Sequence, residues 1–293
     1  MTFDMHFLIL SVLCSVLVSV LLKLAQRRRL AMPTILFWNY AVAVLLCAWL
    51  LDPPLARLHD AGTPWPSLLL LAVMLPSIFL AMAGSVKAAG IVRTDVAQRL
   101  SLVVSLLAAF LWFGESADTV KLLGLGLGVL AIPAIVSRSR GASDGGTRDV
   151  WWLPLIVLLG YAGVDILLKH IAAAGTPFSA SLFVAFGGAL LIMLCVQVVG
   201  QVRGKLRLDG ASLVFGVLVG ASNFANILFY VKAHRALPDN PAVVFATMNL
   251  GVVVLGTLVG VLAFREKLAR LNIIGIVLAV VAVATIAASL AWH

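Results

Sequence analysis

The stretch Thr94–Ser105, TDVAQRLSLVVS, heads an apolar run that continues to Phe113, yet it holds Asp95, Gln98 and Arg99 within five residues. Asp95 and Arg99 are four apart, so on a helix they share a face with Gln98. A charge at the centre of a bilayer costs roughly 2.5 to 3.5 kcal/mol on insertion scales. If this helix crosses a membrane, its carboxylate and guanidinium must pair, face a polar cavity, or snorkel to water. Arg99 begins about two turns in, roughly 10 Å at the helical rise, so snorkelling stays open and a cavity is the sharper expectation.

The rest of the chain is of the same kind. Its 293 residues are 62% hydrophobic and 11% charged, with a mean hydropathy of +1.12. Soluble domains carry about 25% charged residues, so this is an integral membrane protein. The net charge of +9 does not point to nucleic acid, because Lys and Arg fall in short loops between apolar runs. Cys14, Cys47 and Cys195 are isolated within such runs and lack metal-ligand spacing, and His6, His59, His170, His234 and His293 are scattered. No metal and no cofactor is expected. The N-terminus lacks the basic region of a cleavable signal peptide.

A span needs about 20 apolar residues, and ten candidates follow. They are Met5–Leu24, Pro33–Leu51, Pro66–Ala88, Val92–Phe113 and Val120–Val136, then Trp151–Ala172, Phe178–Gly200, Gly210–Lys232, Pro241–Phe264 and Leu271–Ala291. Trp65, Trp151, Trp152 and Trp292 stand at span ends, where interfacial aromatics belong. The hydrophilic segment 137–149 divides a first five-helix unit, 1–136, from a second, 150–293.

The two units repeat. SVLLKLA (Ser19–Ala25) resembles DILLKHIA (Asp165–Ala172), with Lys23 and Lys169 146 residues apart. Val86-Lys87 and Val231-Lys232 close the third and eighth spans at a spacing of 145, and Phe113-Gly-Glu115 and Phe264-Arg-Glu266 close the fourth and ninth at 151. Each glutamate precedes a glycine by nine residues, Gly124 and Gly275. Shared order at near-constant spacing indicates duplication. Five spans per copy is odd, so the second copy inserts upside down, an inverted repeat of the kind secondary transporters use, with the binding site at the repeat interface.

Fourteen Lys and Arg fall in the loops after spans one, three, five, seven and nine: Lys87, Arg93, Arg27–Arg29, Arg138, Arg140, Arg148, Arg203, Lys205, Arg207, Arg265, Lys267 and Arg270. The alternate loops hold Arg57, Lys121, Lys169, Lys232 and Arg235. The positive-inside rule then places both termini outside the cytoplasm of a multi-pass inner (plasma) membrane protein.

Ten spans in two copies, with helix four of each ending in Phe-x-Glu before a glycine-containing fifth helix, resemble the EamA-type branch of the drug/metabolite transporter superfamily over essentially the whole chain. The resemblance implies a cavity between the repeats, lined by helices one to four and six to nine, with five and ten peripheral, and it implies efflux. Many members have both termini cytoplasmic, from which this charge tally departs.

Apparent enzyme signatures dissolve in context. Gly141-Ala-Ser143-Asp-Gly145 fits G-x-S-x-G but sits in the hydrophilic segment, without the strand and helix a nucleophile elbow needs. Gly126-x-Gly128-x-x-Ala131 lies inside an apolar run, without a βαβ unit. There is no Walker A and no H-E-x-x-H, so a gradient rather than ATP is the expected driving force, and no catalytic residue is nominated. Three glycine pairs, Gly124/Gly128, Gly216/Gly220 and Gly256/Gly260, have the four-residue spacing of close helix approach, within a monomer or at a homodimer contact.

Polar residues inside spans carry the functional signal. Asn223, Asn226 and Tyr230 form one stripe, Asn249 aligns with Arg99 when QRLSLVV is set against MNLGVVV, and Asn39, Tyr161 and Asp165 lie in other spans. Each alone is equally well read as an interhelical hydrogen bond worth about 0.6 kcal/mol; together they point to a shared cavity. Lys23 reads as a snorkelling anchor, and Glu115 and Glu266 as structural groups at helix turns. The substrate-binding set is therefore Asn39, Asp95, Gln98, Arg99, Tyr161, Asp165, Asn223, Asn226, Tyr230 and Asn249. Arg99 can take a carboxylate in bidentate fashion, and Asp95 or Asp165 an ammonium or a coupling proton. These residues describe an alternating-access secondary transporter for a small polar or zwitterionic metabolite such as an amino acid. A lipophilic-cation or drug exporter, a non-transporting membrane partner or scaffold, and a lipid-linked sugar flippase are the alternatives.

Overall fold

The computed structural model describes residues 5–60, 62–113, 119–136, 152–236 and 241–291. Glu115, the G-x-S-x-G segment, Trp151 and Trp292 lie outside them. The described residues are all-helical, without strands. They form α1 (Met5–Arg27), α2 (Met32–Leu51), α3 (Trp65–Ala88), α4 (Ile91–Phe113), α5 (Thr119–Val136), α6 (Trp152–Ala173), α7 (Phe178–Val202), α8 (Gly210–Ala236), α9 (Pro241–Leu262) and α10 (Arg270–Ala291), with a short 3₁₀ helix at Leu55–His59. Helix is the local outcome because these runs offer no water to unpaired backbone groups, and a helix satisfies each peptide within its own segment. Among the described residues, α1, α2, α3, α6, α7 and α8 are long and apolar enough to cross a membrane.

The helix ends are sharp. At the end of α6 the Thr176 N–H donates to Ile171 O and Gly175 N–H to Ala172 O, and at the end of α7 Lys205 and Gly204 do the same to Gly200 and Gln201. Both glycines have positive φ, +80° and +66°, as this closing motif requires. The same turn ends α1, but with Arg29 in the left-handed position at φ 55°, which costs a non-glycine residue about 1 kcal/mol.

Helices pack in a patterned way. α1 lies against α8 and α9; α6 lies against α3 and α4; α2 contacts α7 and α8, and α3 contacts α7. Replacing each helix by the one five places on converts α1–α8 into α6–α3, α2–α8 into α7–α3, and α1–α9 into α6–α4, all of which pack. The pairs α2–α7, α4–α9 and α5–α10 map onto themselves and also pack. One core joins Leu22, Ile35, Tyr40, Phe79, Phe186 and Phe224, and another joins Val92, Leu100, Leu125, Val253 and Ile286. Large apolar side chains such as Leu45, Leu69, Leu130, Leu191, Leu258 and Ile274 cover the outside, a surface suited to lipid rather than water.

All three glycine pairs serve seams within the chain. A Cβ on Gly124 would meet Ile286 and on Gly128 Val103; on Gly216 and Gly220 it would meet Trp38 and Asn39 of α2; on Gly256 and Gly260, Asp95 and Val92 of α4. The pattern Gly126-x-Gly128-x-x-Ala131 lies in the middle of α5, in continuous helix.

Candidate functional site

A cavity of about 450 Å³ opens between the helices, within the range of small-molecule sites. It takes Tyr40 from α2, Phe79 from α3, Gln98, Arg99 and Ser101 from α4, Tyr161 and Asp165 from α6, Phe178 and Phe186 from α7, Asn223, Asn226 and Tyr230 from α8, and Asn249 from α9. Among the described residues α1, α5 and α10 contribute no lining. α5 and α10 pack on each other to one side.

The cavity is off-centre. Its residues on α6 and α8 come from the middle and later turns, and those on α7 from the first turns. α6 and α7 join through the tight turn at residues 174–177, so Asp165, Leu168, Phe178 and Leu182 gather at that end. Asp165 is exposed there.

Of the nominated residues, Gln98, Arg99, Tyr161, Asp165, Asn223, Asn226, Tyr230 and Asn249 line this one cavity. Arg99 is fixed by α1: one guanidinium nitrogen donates to Ser15 Oγ at 2.7 Å, while its buried Nε has no partner. Asn226 is also held by α1, because Ser11 Oγ donates to its backbone O and to its Oδ1, both at 2.9 Å. Asp165 Oδ2 accepts from Ser101 Oγ at 3.4 Å. Tyr161 Oη rests against Met82 Sδ at 3.3 Å. Tyr40 stands between Phe79 and Phe186, with ring centroids 6.4 and 6.3 Å away, and makes an aromatic wall.

Two nominated residues sit elsewhere. Asp95 is only 2% exposed and lies one turn below Arg99, between α1 and α9. Ser19 Oγ donates to its Oδ1 at 2.7 Å, and its Oδ2 is buried without a partner. Asn39 is fully buried where α2 crosses α8, its backbone against Gly220, and both its amide atoms lack partners.

Lys23 departs from its sequence reading. It is not a lone anchor: its Nζ pairs with Glu266 Oε1 at 2.7 Å and reaches Val86 O at 3.4 Å. The reason is α1's polar stripe. Ser11, Ser15, Ser19 and Lys23 recur every four residues, so they share one face. They meet, in turn, Asn226, Arg99, Asp95 and Glu266. The spacing S-x-x-x-S-x-x-x-S-x-x-x-K was visible in the sequence as a signal for these positioning residues. Among the described residues, no group of His, Cys, Asp and Glu assembles a metal site.

Comparison with known proteins agrees with this architecture. The chain is 38% identical to an uncharacterised protein of Haemophilus influenzae over 95% of its own length and 96% of the relative's. It is 35% identical to an uncharacterised protein of Pseudomonas aeruginosa, over 57% of this chain and 54% of that one. A crystal structure 18% identical in sequence shares the fold, with a TM-score of 0.54 over 97% of this chain and 99% of that one. The pattern of the EamA-like transporter family matches residues 3–137, the whole of α1 to α5. The protein is therefore a multi-pass membrane protein and belongs to the EamA-like transporter family.

Proposed function

We propose that the protein is a secondary exporter of a small zwitterionic metabolite such as an amino acid. The observation that carries this reading is the pairing of opposite charges in one cavity: Arg99, with an unpartnered Nε, and Asp165, exposed into the same space. A bidentate arginine suits a carboxylate, and Asp165 suits an ammonium. Gln98, Asn223, Asn226 and Asn249 supply neutral hydrogen bonds around them.

The architecture behind this function is ten transmembrane helices in two inverted units, 1–136 and 150–293, moving against each other by alternating access. The five-place exchange of helix partners supports that symmetry. The excess of Lys and Arg in the loops after the odd-numbered helices supports both termini lying outside the cytoplasm, in an inner membrane. A gradient drives the cycle, and Asp95 is the carboxylate suited to a coupling proton, because its Oδ2 is buried without a partner. The charged groups above and below it are Arg99 and the Lys23–Glu266 pair.

Radiolabelled flux in proteoliposomes across amino acids, sugars and organic cations tests the assignment. Saturable amino-acid flux that Arg99→Ala abolishes supports it; cation flux that survives Arg99→Ala replaces it with drug efflux. The aromatic wall of Tyr40, Phe79 and Phe186 beside Asp165 favours that second reading. Amino-acid flux indifferent to an imposed pH gradient removes the proton.

A further inference from the structure

At the end of the bundle away from the α6–α7 turn, the Glu266 carboxylate is held by three groups from two helices. It leaves the α9–α10 connector and points its carboxylate at the start of α4, where Ile91 N–H donates to Oε1 at 2.7 Å and Val92 N–H to Oε2 at 3.1 Å. Free amides at a helix start, with the positive end of the helix dipole behind them, favour a carboxylate there. Lys23 of α1 closes the other side of Oε1 at 2.7 Å and ties the cluster to Val86 O of α3. The ring of Phe264 lies 5.6 Å from Lys23 Nζ and 4.9 Å from the Arg27 guanidinium.

The fit is close enough to need two glycines. Gly90, at φ +94°, would place a Cβ 2.6 Å from Glu266 Oε2. Gly260 would place one 3.2 Å from the same oxygen, while Gly260 O accepts from Glu266 N–H at 3.0 Å. Arg265 takes the left-handed conformation, φ 54°, to turn the glutamate inward.

Position gives the cluster its meaning. Val92 precedes Arg99 by seven residues on α4, about 10 Å along the helix, on the side opposite the α6–α7 turn at residues 174–177. The cluster ties α1, α3 and α4 to the α9–α10 connector at this end, where a transport path would have to emerge. It is also releasable: Lys23 and Glu266 keep 16% and 11% side-chain exposure beside exposed loops, so on separation both charges reach water. The α1 stripe links it to the cavity, since Ser15 and Ser11, which hold Arg99 and Asn226, stand on the face that ends in Lys23.

We propose that Lys23, Glu266 and the α4 N-terminus form the gate of the transport path at the end carrying the basic loops, closed here and released when the cavity opens to that side. The proposal rests on the alternating-access reading. Lys23 and Glu266 act in it as positioning residues, because they hold helices and do not line the cavity.

Double electron–electron resonance tests the gate without any substrate. Spin labels at Arg29 and Lys267, both exposed on connectors at this end, are placed in the full chain after replacement of Cys14, Cys47 and Cys195, in lipid nanodiscs. The wild type should give mainly the short distance. Gly90→Ala, which dislodges the carboxylate without removing a charge, and Glu266→Ala should each raise the ratio of long to short populations roughly tenfold or more. Glu266→Gln keeps one acceptor oxygen where the carboxylate offered two to Ile91 and Val92, and should have a smaller effect than Glu266→Ala, as should Lys23→Met. Lys169→Gln, at the far end of α6, should leave the distribution unchanged. A distribution unmoved by Gly90→Ala and Glu266→Gln, in protein that keeps its helicity and elutes as one species, overturns the gate. If Glu266→Ala fails to fold, the Gln, Met and Gly90 variants decide. Widening with no flux of any tested solute would remove the transport assignment and leave the moving joint; flux with unmoved distances would do the reverse.

Discussion

At the end where α6 turns into α7, Asp165, Asn226 and Tyr230 face open space, while at the other end Lys23 and Glu266 close on each other at 2.7 Å. One seam, α1 against α4, runs between the two and changes character along its length. Near the cavity Ser15 holds Arg99 and leaves that side chain's Nε unpartnered; near the basic loops the lysine is paired with a carboxylate that also accepts from the first amides of α4. At the cavity a guanidinium nitrogen is left without a partner, whereas at the basic-loop end the lysine and the glutamate satisfy each other.

The difference can be broken from either end. The largest effect should come from Glu266→Ala, which leaves Lys23 partly buried without its counter-ion and uncaps α4. Loss of one partner of a buried pair costs about 3 kcal/mol or more, and a thermal-shift series in detergent should place this variant lowest. Arg99→Ala should reduce flux of a carboxylate-bearing substrate roughly a hundredfold, about the worth of a bidentate charged contact, with little change in melting temperature; a large destabilisation with intact flux would make Arg99 structural. Ser15→Ala, which frees Arg99 from α1, sharpens the contrast and should cost about tenfold in apparent affinity, close to one hydrogen bond to a charged group.

The smallest effect lies outside the cavity and the gate. Asp209 caps α8, accepting from Ser212 N–H at 2.8 Å and Ser212 Oγ at 2.7 Å. These bonds hold its carboxyl below the usual carboxylate range. A lowered folded-state value means the cap stabilises above the unfolded value, near 3.9, and is lost as the pH falls through the folded one. Asp209→Ala should cost about 1 kcal/mol or less near neutral pH, and the difference from wild type should shrink as the pH falls below the unfolded value and vanish once it has passed the lowered folded one.

Much of the site was legible because a helix has a fixed period. The stripe of Asn223, Asn226 and Tyr230, the pair of Gln98 and Arg99, and the alignment of Asn249 with Arg99 all follow from residue spacing, and all of them line the cavity. Asp95 shares Arg99's face by the same spacing but is covered by Gly256 of α9 and Ser19 of α1. Spacing ranks residues around one helix; it does not say how far along the axis a neighbour stops covering them. Asn39 shows the same limit, since Gly220 lets α8 press onto its backbone. Lys23 stood beside three arginines and read as one more interfacial cation, whereas its partner lies 243 residues away.

The sequence by itself determined the class of this protein: a 293-residue chain too apolar for water, cut into helices because unpaired peptides have no solvent in lipid, with intramembrane charges that demand compensation. Tertiary structure alone decided which charges face the cavity and which meet each other. That choice depends on where α1, α4 and the α9–α10 connector touch, and such contacts between segments far apart in the chain leave no period in the sequence to read.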